Sequence, residues 1–502
     1  MSTFLLLLAE GQKGFFEKLA PILILLVVVA IVIARLPKVD LGEHSHTPAF
    51  RKRRITNWLP LGLTYAFLYM GRYNLTVSKG AFEEMPGADG GPMMGNDIFS
   101  FVFMVGTIVY GFSFLINGPL TDKLGGKFAI LVGAGGAAIV NAVMGLATWS
   151  LVSHGAGHQW LAENFGVVFS VLYGMNMYFQ SFGAVAIVKV NAPWFHVRER
   201  GVFGAIFGIL ISLGIYFAFD VGGQILDAFG VTWVFFVPAI MLSVFFLIDF
   251  LHVRDTPGDA GVEDFHPGDA TDESGERKSA FEVFKMMMSN PVILTIAGIE
   301  FCSGFLRQAI MNYYRIFAKQ TDAELELKSS FVYDNWGMLL CCAGIMGGVF
   351  AGTISDHLFN SRRGPVAAVL YGIMLLSGIY LIFGYQEPHV GWIVVFMSMA
   401  VIGVHGMLSG TASMDFGGKQ NVGIAVGIID GFVYLGTGCM ALLYSFILPK
   451  DQLDAQTGEL IGPATDPDNW VNWPISMVPM ALIGFLLALR VWHATAGKQK
   501  AS

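Results

Sequence analysis

The sequence predicts an all-α polytopic membrane protein built from two groups of six membrane-spanning helices. Three observations support this class: 54% of the 502 residues are hydrophobic, only 13% are charged, and the apolar residues gather in long runs. Soluble domains usually carry about 25% charged residues, and one span needs about 20 mainly apolar residues. This composition excludes a disordered chain, and the formal net charge of -7 argues against a nucleic-acid partner.

A polar stretch divides the apolar runs into two sets of six. It predicts an N-terminal bundle at 51–254, a cytoplasmic linker at 255–288, and a C-terminal bundle with its tail at 289–502. The lipid bilayer is then the main environment of both bundles. The predicted spans are 57–78, 98–120, 127–150, 164–188, 203–224, 231–252, 291–314, 335–354, 365–384, 391–412, 421–448 and 472–492.

A further apolar run at 19–34 lies in the N-terminal segment 1–50. It is short for a span, so it could lie in the membrane interface or be a signal peptide. A signal peptide would need small residues after the apolar run to form its cleavage site, but the basic residues Arg35 and Lys38 follow instead. The sequence therefore favours a retained segment over a cleaved signal peptide. We therefore expect an extra retained helix with an external N-terminus, which could serve a partner protein, pack against the bundle or steer insertion.

Lys and Arg predict the orientation of the chain. They concentrate in the loops on the side that carries the basic segment 51–54. Because cytoplasmic loops of membrane proteins are enriched in these residues, that side is predicted to be cytoplasmic. The linker and the C-terminus then face the cytoplasm as well.

The two halves show a weak internal repeat. Arg72 and Arg307 each lie in the first span of a half, and a Gly-x-x-x-Asp sequence follows at the inner end of the second span, ending at Asp122 and Asp356. Gly and Asp are common at span ends, so chance is the alternative. The agreement in residue type, depth and spacing favours two halves related by duplication.

Three cations lie at membrane depth: Arg72, Arg307 and Lys189, the last at the inner end of the fourth predicted span. A charge at this depth is costly unless it is paired or faces water, so each is a functional candidate. Arginines from both halves suit an anionic substrate, and a planar guanidinium binds phosphate with two parallel hydrogen bonds. Lys189 could line the same cavity or extend to the inner surface.

Two tyrosines accompany the first arginine. Tyr65, Tyr69 and Arg72 have the spacing i, i+4, i+7, which places them on one helix face. They could form the polar lining of a cavity. The alternative is that both tyrosines are anchors at the membrane interface.

Four polar residues of the second half are further candidates. Glu300 precedes Arg307 by two helical turns, so it could hold that arginine in an ion pair or carry protons. His405 could contact substrate or be packed and hydrogen bonded. Asp430 and Tyr434 share a helix face, and Asp430 could pair with a cation of the cavity and release it when substrate binds.

The sequence contains no pattern that predicts a cofactor or a catalytic centre. The Gly-rich segment 133–136 lies inside an apolar span, where small residues allow close helix packing. No P-loop, metal-ligand cluster or activated nucleophile is evident, and the four cysteines show no disulfide pattern. We therefore expect a protein that is not an enzyme.

Several stretches carry a resemblance to a known family. The segments 65–74 (YAFLYMGRYN), 110–122 (YGFSFLINGPLTD), 179–201, 253–257 and 427–436 (GIIDGFVYLG) resemble major facilitator superfamily transporters. Within that superfamily, the chain resembles the organophosphate:phosphate antiporters, which include bacterial glycerol-3-phosphate and hexose-6-phosphate transporters.

This resemblance implies a fold, an activity and a site. The family fold is two six-helix bundles related by a pseudo-twofold axis, with substrate between them and access alternating as the bundles rock. The implied activity is exchange of an organophosphate for inorganic phosphate by a monomer in a bacterial inner membrane. Asp122 and Asp356 would latch the cytoplasmic side. The residues that match family cavity positions are Arg72, Arg307, Tyr65, Tyr69, Tyr434 and Lys189.

The chain departs from the glycerol-3-phosphate pattern at three positions. Phe114, Pro193 and Cys341 stand where that pattern has a lysine, a histidine and a glutamate. The arginine pair is kept, which implies a phosphate-bearing substrate, and Asp430 is more similar to the sugar-phosphate branches. Two alternatives stay open: a proton-coupled anion symporter, and a sugar-phosphate sensor that transports nothing.

Overall fold

Twelve long helices, α1 to α12, account for most of the residues that the computed structural model describes, which are 47–88, 90–196, 199–264, 280–359, 363–408, 413–454, 457 and 459–493. The predicted N-terminal helix at 19–34 lies outside these residues. The helix bounds are Pro48–Glu83, Asn96–Leu124, Gly126–Val152, Phe165–Asn191, 200–229, Val231–His252, Pro291–Met311, Trp336–Leu358, Arg363–Gly384, Val390–Met407, Ser413–Ile447 and Asn472–Arg490. The fifth helix contains a π-helical turn at Phe217–Val221.

Each predicted span coincides with one of these helices. Ten helices within the described ranges are long and apolar enough to cross a membrane. Helix α1 carries several polar residues, and these are buried against neighbouring helices. Hydropathy alone placed the start of α11 at 421, but the helix begins at Ser413, because the polar residues before 421 include good helix formers. The C-terminal end of the predicted linker forms a short helix, Ala280–Met288.

The helices pack as two bundles that meet along two seams. In the first bundle α4 packs against α2 and α3, while α6 packs against α1 and α3. In the second bundle α7 packs against α11 and α12, and α10 packs against α8 and α9. Contacts of α2 with α11 and of α5 with α8 join the bundles. The equivalent roles of α2 and α8, and of α5 and α11, reflect the repeat expected from the sequence.

Glycines set the closest helix approaches. A Cβ atom at Gly118 of α2 would overlap the carbonyl oxygen of Gly423 on α11, across the seam between the bundles. A Cβ atom at Gly304 of α7 would overlap the carbonyl oxygen of Val433 on α11. Small residues are the usual means of bringing two helix backbones together within a membrane. This packing holds α11 close to both α2 and α7.

The outward surface of the bundles is apolar. Phe383, Phe446 and Leu376 are 84%, 79% and 71% exposed, and other large hydrophobic side chains share this surface. Lipid chains solvate such side chains, whereas a soluble protein rarely exposes so many. Following the predicted orientation, we call the face that carries Pro48 the inner face and the opposite one the outer face. A two-stranded antiparallel sheet, Gln452–Leu453 with Leu460–Ile461, lies between α11 and α12 on the outer face.

Candidate substrate site

Arg72 lies in the outer half of α1, at the interface between the two bundles. Its side chain is only 1% exposed. Nη1 donates to Tyr434 at 2.8 Å, Nη2 to Tyr110 at 2.5 Å, and Nε to Gln180 at 3.1 Å. The guanidinium also lies over the ring of Tyr69, with Cζ 4.4 Å from the ring centroid. Neutral acceptors and aromatic faces therefore solvate this charge, and no carboxylate among the described residues is in hydrogen-bond contact with it.

A ladder of polar side chains holds this part of α1 in place. Tyr173 of α4 donates to the carbonyl of Arg72 at 2.9 Å, and Asn176 donates to the carbonyl of Gly71 at 2.9 Å. Asn141 of α3 donates to Asn176 at 2.9 Å. Buried polar groups in a membrane need partners inside the protein, so this network fixes the depth and direction of the arginine.

Arg307 is the counterpart of Arg72 in the second bundle. It lies on α7, is 5% exposed, and its Nε and Nη2 have no hydrogen-bond partner among the described residues. These two nitrogens form the edge of a guanidinium that binds two oxygen atoms in parallel. A buried donor without a partner is costly, so this edge is prepared for an anionic acceptor.

Tyr434 lies between the two arginines. Its ring centroid is 5.7 Å from Cζ of Arg72 and 5.7 Å from Cζ of Arg307. Because Gly304 allows α7 to approach α11 closely, Arg307 reaches a tyrosine that also binds Arg72. One phenol thus connects the guanidiniums of both bundles.

The other predicted tyrosines belong to the same cluster. Tyr65 and Tyr69 are 6% and 3% exposed, and their rings meet edge to face with centroids 5.3 Å apart. Both are buried in the protein, so the alternative of interfacial anchors is wrong. Asp430 is 7% exposed on α11, where its charge acts on Tyr65 and Tyr110.

Glu300 and His405 contact each other. Oε2 of Glu300 lies 2.9 Å from Nδ1 of His405, and Glu300 is fully buried. No ion pair between Glu300 and Arg307 occurs among the described residues, so that alternative is not realised in this conformation. The pair joins α7 to α10.

Lys189 and Asp122 lie at the inner face, away from the arginines. Nζ of Lys189 is 2.7 Å from Oδ1 of Asp122, and Oδ2 of Asp122 accepts from the backbone N–H of Ile424 on α11 at 3.2 Å. Asp122 therefore links the two bundles, while Lys189 neutralises it. The side chain of Asp356 lies outside the described residues.

Sequence reasoning did not identify several polar residues that join the bundles. Gln308 of α7 donates to Tyr73 of α1 at 2.9 Å, and Thr76 donates to Asn312 at 3.0 Å. Tyr110 was part of a motif but not a predicted ligand of Arg72. In the sequence, each of these residues is distinguished only by being polar inside a predicted span, and that does not indicate which residue it pairs with.

A second group of buried charges, which we call the outer ion cluster, consists of Lys79, Glu83, Asp451, Asn96 and Gln320. Nζ of Lys79 lies 2.5 Å from Glu83 on the same helix and 3.0 Å from Asp451, which belongs to the second bundle. The backbone N–H of Asn96 donates to Asp451 at 2.6 Å, and Gln320 donates to Glu83. The cluster therefore closes the outer side between α1, α2 and the second bundle.

A large cavity lies beside this cluster and not at the arginine pair. Its volume is about 1050 Å³, and its lining includes Thr76, Lys79, Asp220, Arg315 and Asn335. Arg72 and Arg307 are enclosed, so the conformation has a closed outer side and a buried central site. The cavity is placed to become an outer vestibule when the bundles separate there.

Acidification is expected to favour the closed outer side. Burial raises the pKa of Asp451 to about 6. The positive charge of Lys79 opposes this shift, and the negative charge of Glu83 adds to it. An exposed carboxyl group in an open state would titrate near 4. Because the closed state binds the proton on Asp451 more tightly, its share rises as the pH falls through about 6.

This pH dependence can be measured with a cysteine at Thr76, which lines the outer cavity next to Asn312 of the opposite bundle. Its rate of labelling by a membrane-impermeant thiol reagent reports opening of the outer side. Dividing the rate by that of the same protein carrying Asp451→Asn cancels the ionisation of the thiol itself. Identical pH profiles in the two proteins would contradict the expectation.

The fold and the site together define a class of protein: a membrane transporter with a polar, cationic site enclosed between two six-helix bundles. The model of the Major Facilitator Superfamily matches residues 61–440. The chain therefore belongs to the Major Facilitator Superfamily and is a multi-pass membrane transporter, not an enzyme. The predicted fold class is confirmed.

Relatives agree with the narrower resemblance. The chain is 24% identical to the glycerol-3-phosphate transporter of Bacillus subtilis (strain 168) over 478 residues, which cover 90% of this chain and 95% of that protein. It is 23% identical to a probable hexose phosphate transport protein of Chlamydia trachomatis serovar D over 457 residues, or 86% and 90% of the two chains. The predicted resemblance to organophosphate transporters is thereby confirmed.

A solved structure supports the fold. The crystal structure of a bacterial homologue of the human lysosomal transporter Spinster, in an inward-facing and unoccupied conformation, aligns with a TM-score of 0.60. The alignment covers 91% of this chain and all of the other, at 13% sequence identity. Similarity at this level of identity concerns the architecture alone.

Proposed function

We propose that this transporter exchanges an organophosphate of the sugar phosphate or glycerol phosphate type for inorganic phosphate, by alternating access. One observation carries the proposal. Arg72 and Arg307 come from opposite bundles and flank the ring of Tyr434, and the buried bidentate edge of Arg307 has no hydrogen-bond partner in the part of the chain that the structure describes. A phosphate group has the charge and the paired oxygen atoms that this edge requires.

The geometry suggests how binding drives the conformational change. Phosphate oxygens accept from Nε and Nη2 of Arg307 and replace the Tyr434 hydroxyl on Nη1 of Arg72. The ligand then bridges two like charges that otherwise repel across the interface. Bridging draws the bundles together around the ligand and lowers the barrier to inversion.

The same charges favour exchange over one-way transport. Without ligand, two buried guanidiniums of equal sign disfavour the compact state through which the carrier must pass. Either phosphate or the organophosphate relieves that repulsion, so the carrier crosses when loaded in both directions. Asp122, bound to Lys189 and to the N–H of Ile424, holds the inner side until binding energy breaks the contact.

The substrate class follows from the arginine pair together with the relatives. The relatives are named as transporters of glycerol-3-phosphate and hexose phosphate. Tyrosine rings around the arginines offer apolar faces and hydroxyl groups to a small carbon skeleton. We infer that the protein acts as a monomer in a bacterial inner membrane, with a cytoplasmic C-terminus.

Exchange in proteoliposomes tests the proposal. Vesicles containing the purified protein are loaded with phosphate, labelled phosphate is added outside, and glycerol-3-phosphate, glucose-6-phosphate and phosphoglycerate compete. We expect uptake that requires internal phosphate, stops in Arg307→Ala, and is inhibited best by one organophosphate. No uptake, with phosphates still raising the melting temperature, would favour a sensor. Uptake without internal phosphate would favour a symporter.

A further inference from the structure

The buried pair Glu300–His405 has no part in the clamp described above. Glu300 is fully buried, its Oε2 lies 2.9 Å from Nδ1 of His405, and its Oε1 has no hydrogen-bond partner among the described residues. A carboxylate with one unpartnered oxygen is costly in the interior of a membrane protein. The contact therefore calls for a function that depends on its charge.

The surroundings of the pair contain few other charges. Arg307 lies two turns along α7 and interacts electrostatically with Glu300. Helix α12 brings no ionisable side chain before Arg490, its last residue. At positions whose side chains are described, the ionisable residues of the surrounding helices are Cys302 and Arg307 on α7, Cys341 and Cys342 on α8, Tyr371 and Tyr380 on α9, and Asp430, Tyr434, Cys439 and Tyr444 on α11.

The carboxylate of Glu300 opposes a ligand at Arg307. Arg72 and Arg307 repel each other and attract a phosphate group, whereas ionised Glu300, which interacts electrostatically with Arg307, repels it. A phosphate or phosphate ester adds one or two negative charges to this buried, poorly solvated volume. Two negative groups close together there are unfavourable, so a proton on the Glu300–His405 pair favours loading.

We propose that the Glu300–His405 pair is a proton-binding site that takes up one proton as the phosphate group binds to Arg307. The inference rests on the proposed function and deepens it, because it makes the anion and a proton joint ligands of the carrier. Nδ1 of His405 faces Glu300, so the added proton goes to Nε2 and converts a contact between a neutral imidazole and a carboxylate into an imidazolium–carboxylate pair, whose net charge is zero. Bulk water supplies the proton, and no bond other than N–H is made.

The linkage works in both directions. A protonated pair offsets the charge of the ligand at Arg307, and a bound phosphate group favours the protonated pair. The side chain of His405 is 16% exposed while that of Glu300 is 0% exposed, so the histidine provides the route for the proton. Because both exchanged ligands carry a phosphate group, the pair would carry one proton with the ligand in each direction, and one-for-one exchange would move no net proton through it.

Calorimetry on the purified full-length protein tests this inference. Inorganic phosphate is titrated at pH 7 in two buffers of different protonation enthalpy, which gives the number of protons taken up per phosphate bound. Phosphate changes its own protonation equally in all variants, so the difference between proteins isolates the pair. We expect the wild type to take up about one proton more than Glu300→Gln or His405→Gln.

The affinity for phosphate provides a second measurement. The dissociation constant for phosphate should rise with pH between about pH 6.5 and 8.5. For each pH unit, its increase in the wild type should exceed the increase in either variant by a factor of up to about ten. Asp430→Asn is the matched comparison, since it removes the other carboxylate of the site and should keep the extra proton. Melting temperatures establish that each variant is folded. Glu300→Gln and His405→Gln each disrupt the pair from a different side, so the test does not depend on one variant alone.

The outcomes separate this inference from the proposed function. Equal proton uptake in the wild type and both pair variants, with phosphate still bound, overturns the inference and leaves the exchanger intact. Loss of the extra proton in Asp430→Asn, with uptake kept in Glu300→Gln, also overturns it. No binding of phosphate by the folded wild type overturns both.

Discussion

Replacing Arg307 by lysine is expected to lower phosphate exchange about 100-fold, and Arg72→Lys should have an effect of similar size. Lysine keeps the charge but cannot present two parallel donors. Each hydrogen bond to a charged group contributes about 1.5–3 kcal/mol, and about 1.4 kcal/mol corresponds to a factor of ten. At Arg72 an ammonium group on a flexible stem cannot bind Gln180, Tyr110 and Tyr434 as the planar guanidinium does.

Exchange rates in proteoliposomes measure this effect, and Arg315→Lys is the matched control. Arg315 lies in the short helix Tyr313–Gln320 that follows α7, with its guanidinium 4.6 Å from the ring centroid of Tyr333. It is outside the arginine pair, so the same change there should leave exchange within about twofold of the wild type. Exchange at the wild-type rate in both Arg72→Lys and Arg307→Lys would refute the bidentate clamp.

Replacing Lys79 by alanine is expected to open the outer side. The ammonium group is 2% exposed and lies between Glu83 and Asp451, which belong to opposite bundles. Removing one partner from a buried ion pair costs about 3–5 kcal/mol. Lys319 stays 3.5 Å from Glu83, so the loss of compensation falls mainly on Asp451. Separation of the bundles hydrates both carboxylates, so the equilibrium should shift towards the outward-open state by a factor of about 100 or more.

Labelling of a cysteine at Thr76 in a background without native cysteines measures this shift. Lys79→Ala should be labelled much faster than the parent protein by an impermeant reagent. The matched control is Lys450→Ala, since Lys450 is next to Asp451 in sequence but its side chain is 70% exposed and lies 3.6 Å from Asp97. Surface pairs of this kind contribute about 0–1 kcal/mol. Equal labelling of the two variants would show that the outer ion cluster does not hold the bundles together.

The helices and the cations of the site could be predicted from the sequence because both depend on local composition. An apolar run of span length must form a helix in the bilayer, since its backbone has no other way to satisfy its hydrogen bonds. Placing a charged side chain inside such a run costs several kcal/mol of free energy, so an arginine there indicates a function. Arg72 and Arg307 were identified for this reason. Helix periodicity likewise placed Tyr65 and Tyr69 on the face of Arg72.

Pairings between distant helices could not be predicted in the same way. Glu300 precedes Arg307 by two turns, yet its partner is His405 on α10. Lys189, one of the three cations at depth, binds Asp122 at the inner face and not the ligand site. Spacing along one helix fixes a direction around its axis, whereas a contact also depends on the rotation and depth of the neighbouring helix.

The sequence by itself therefore determined the class of fold, the two halves and the pair of buried arginines. Only the tertiary structure decided that Tyr434 lies between those arginines and that Lys79 and Asp451 close the outer side. The physical reason is the range of the interactions concerned. Helix formation and burial act through neighbouring residues, while the site assembles from residues up to 372 positions apart, brought together by close packing at glycines such as Gly118 and Gly304.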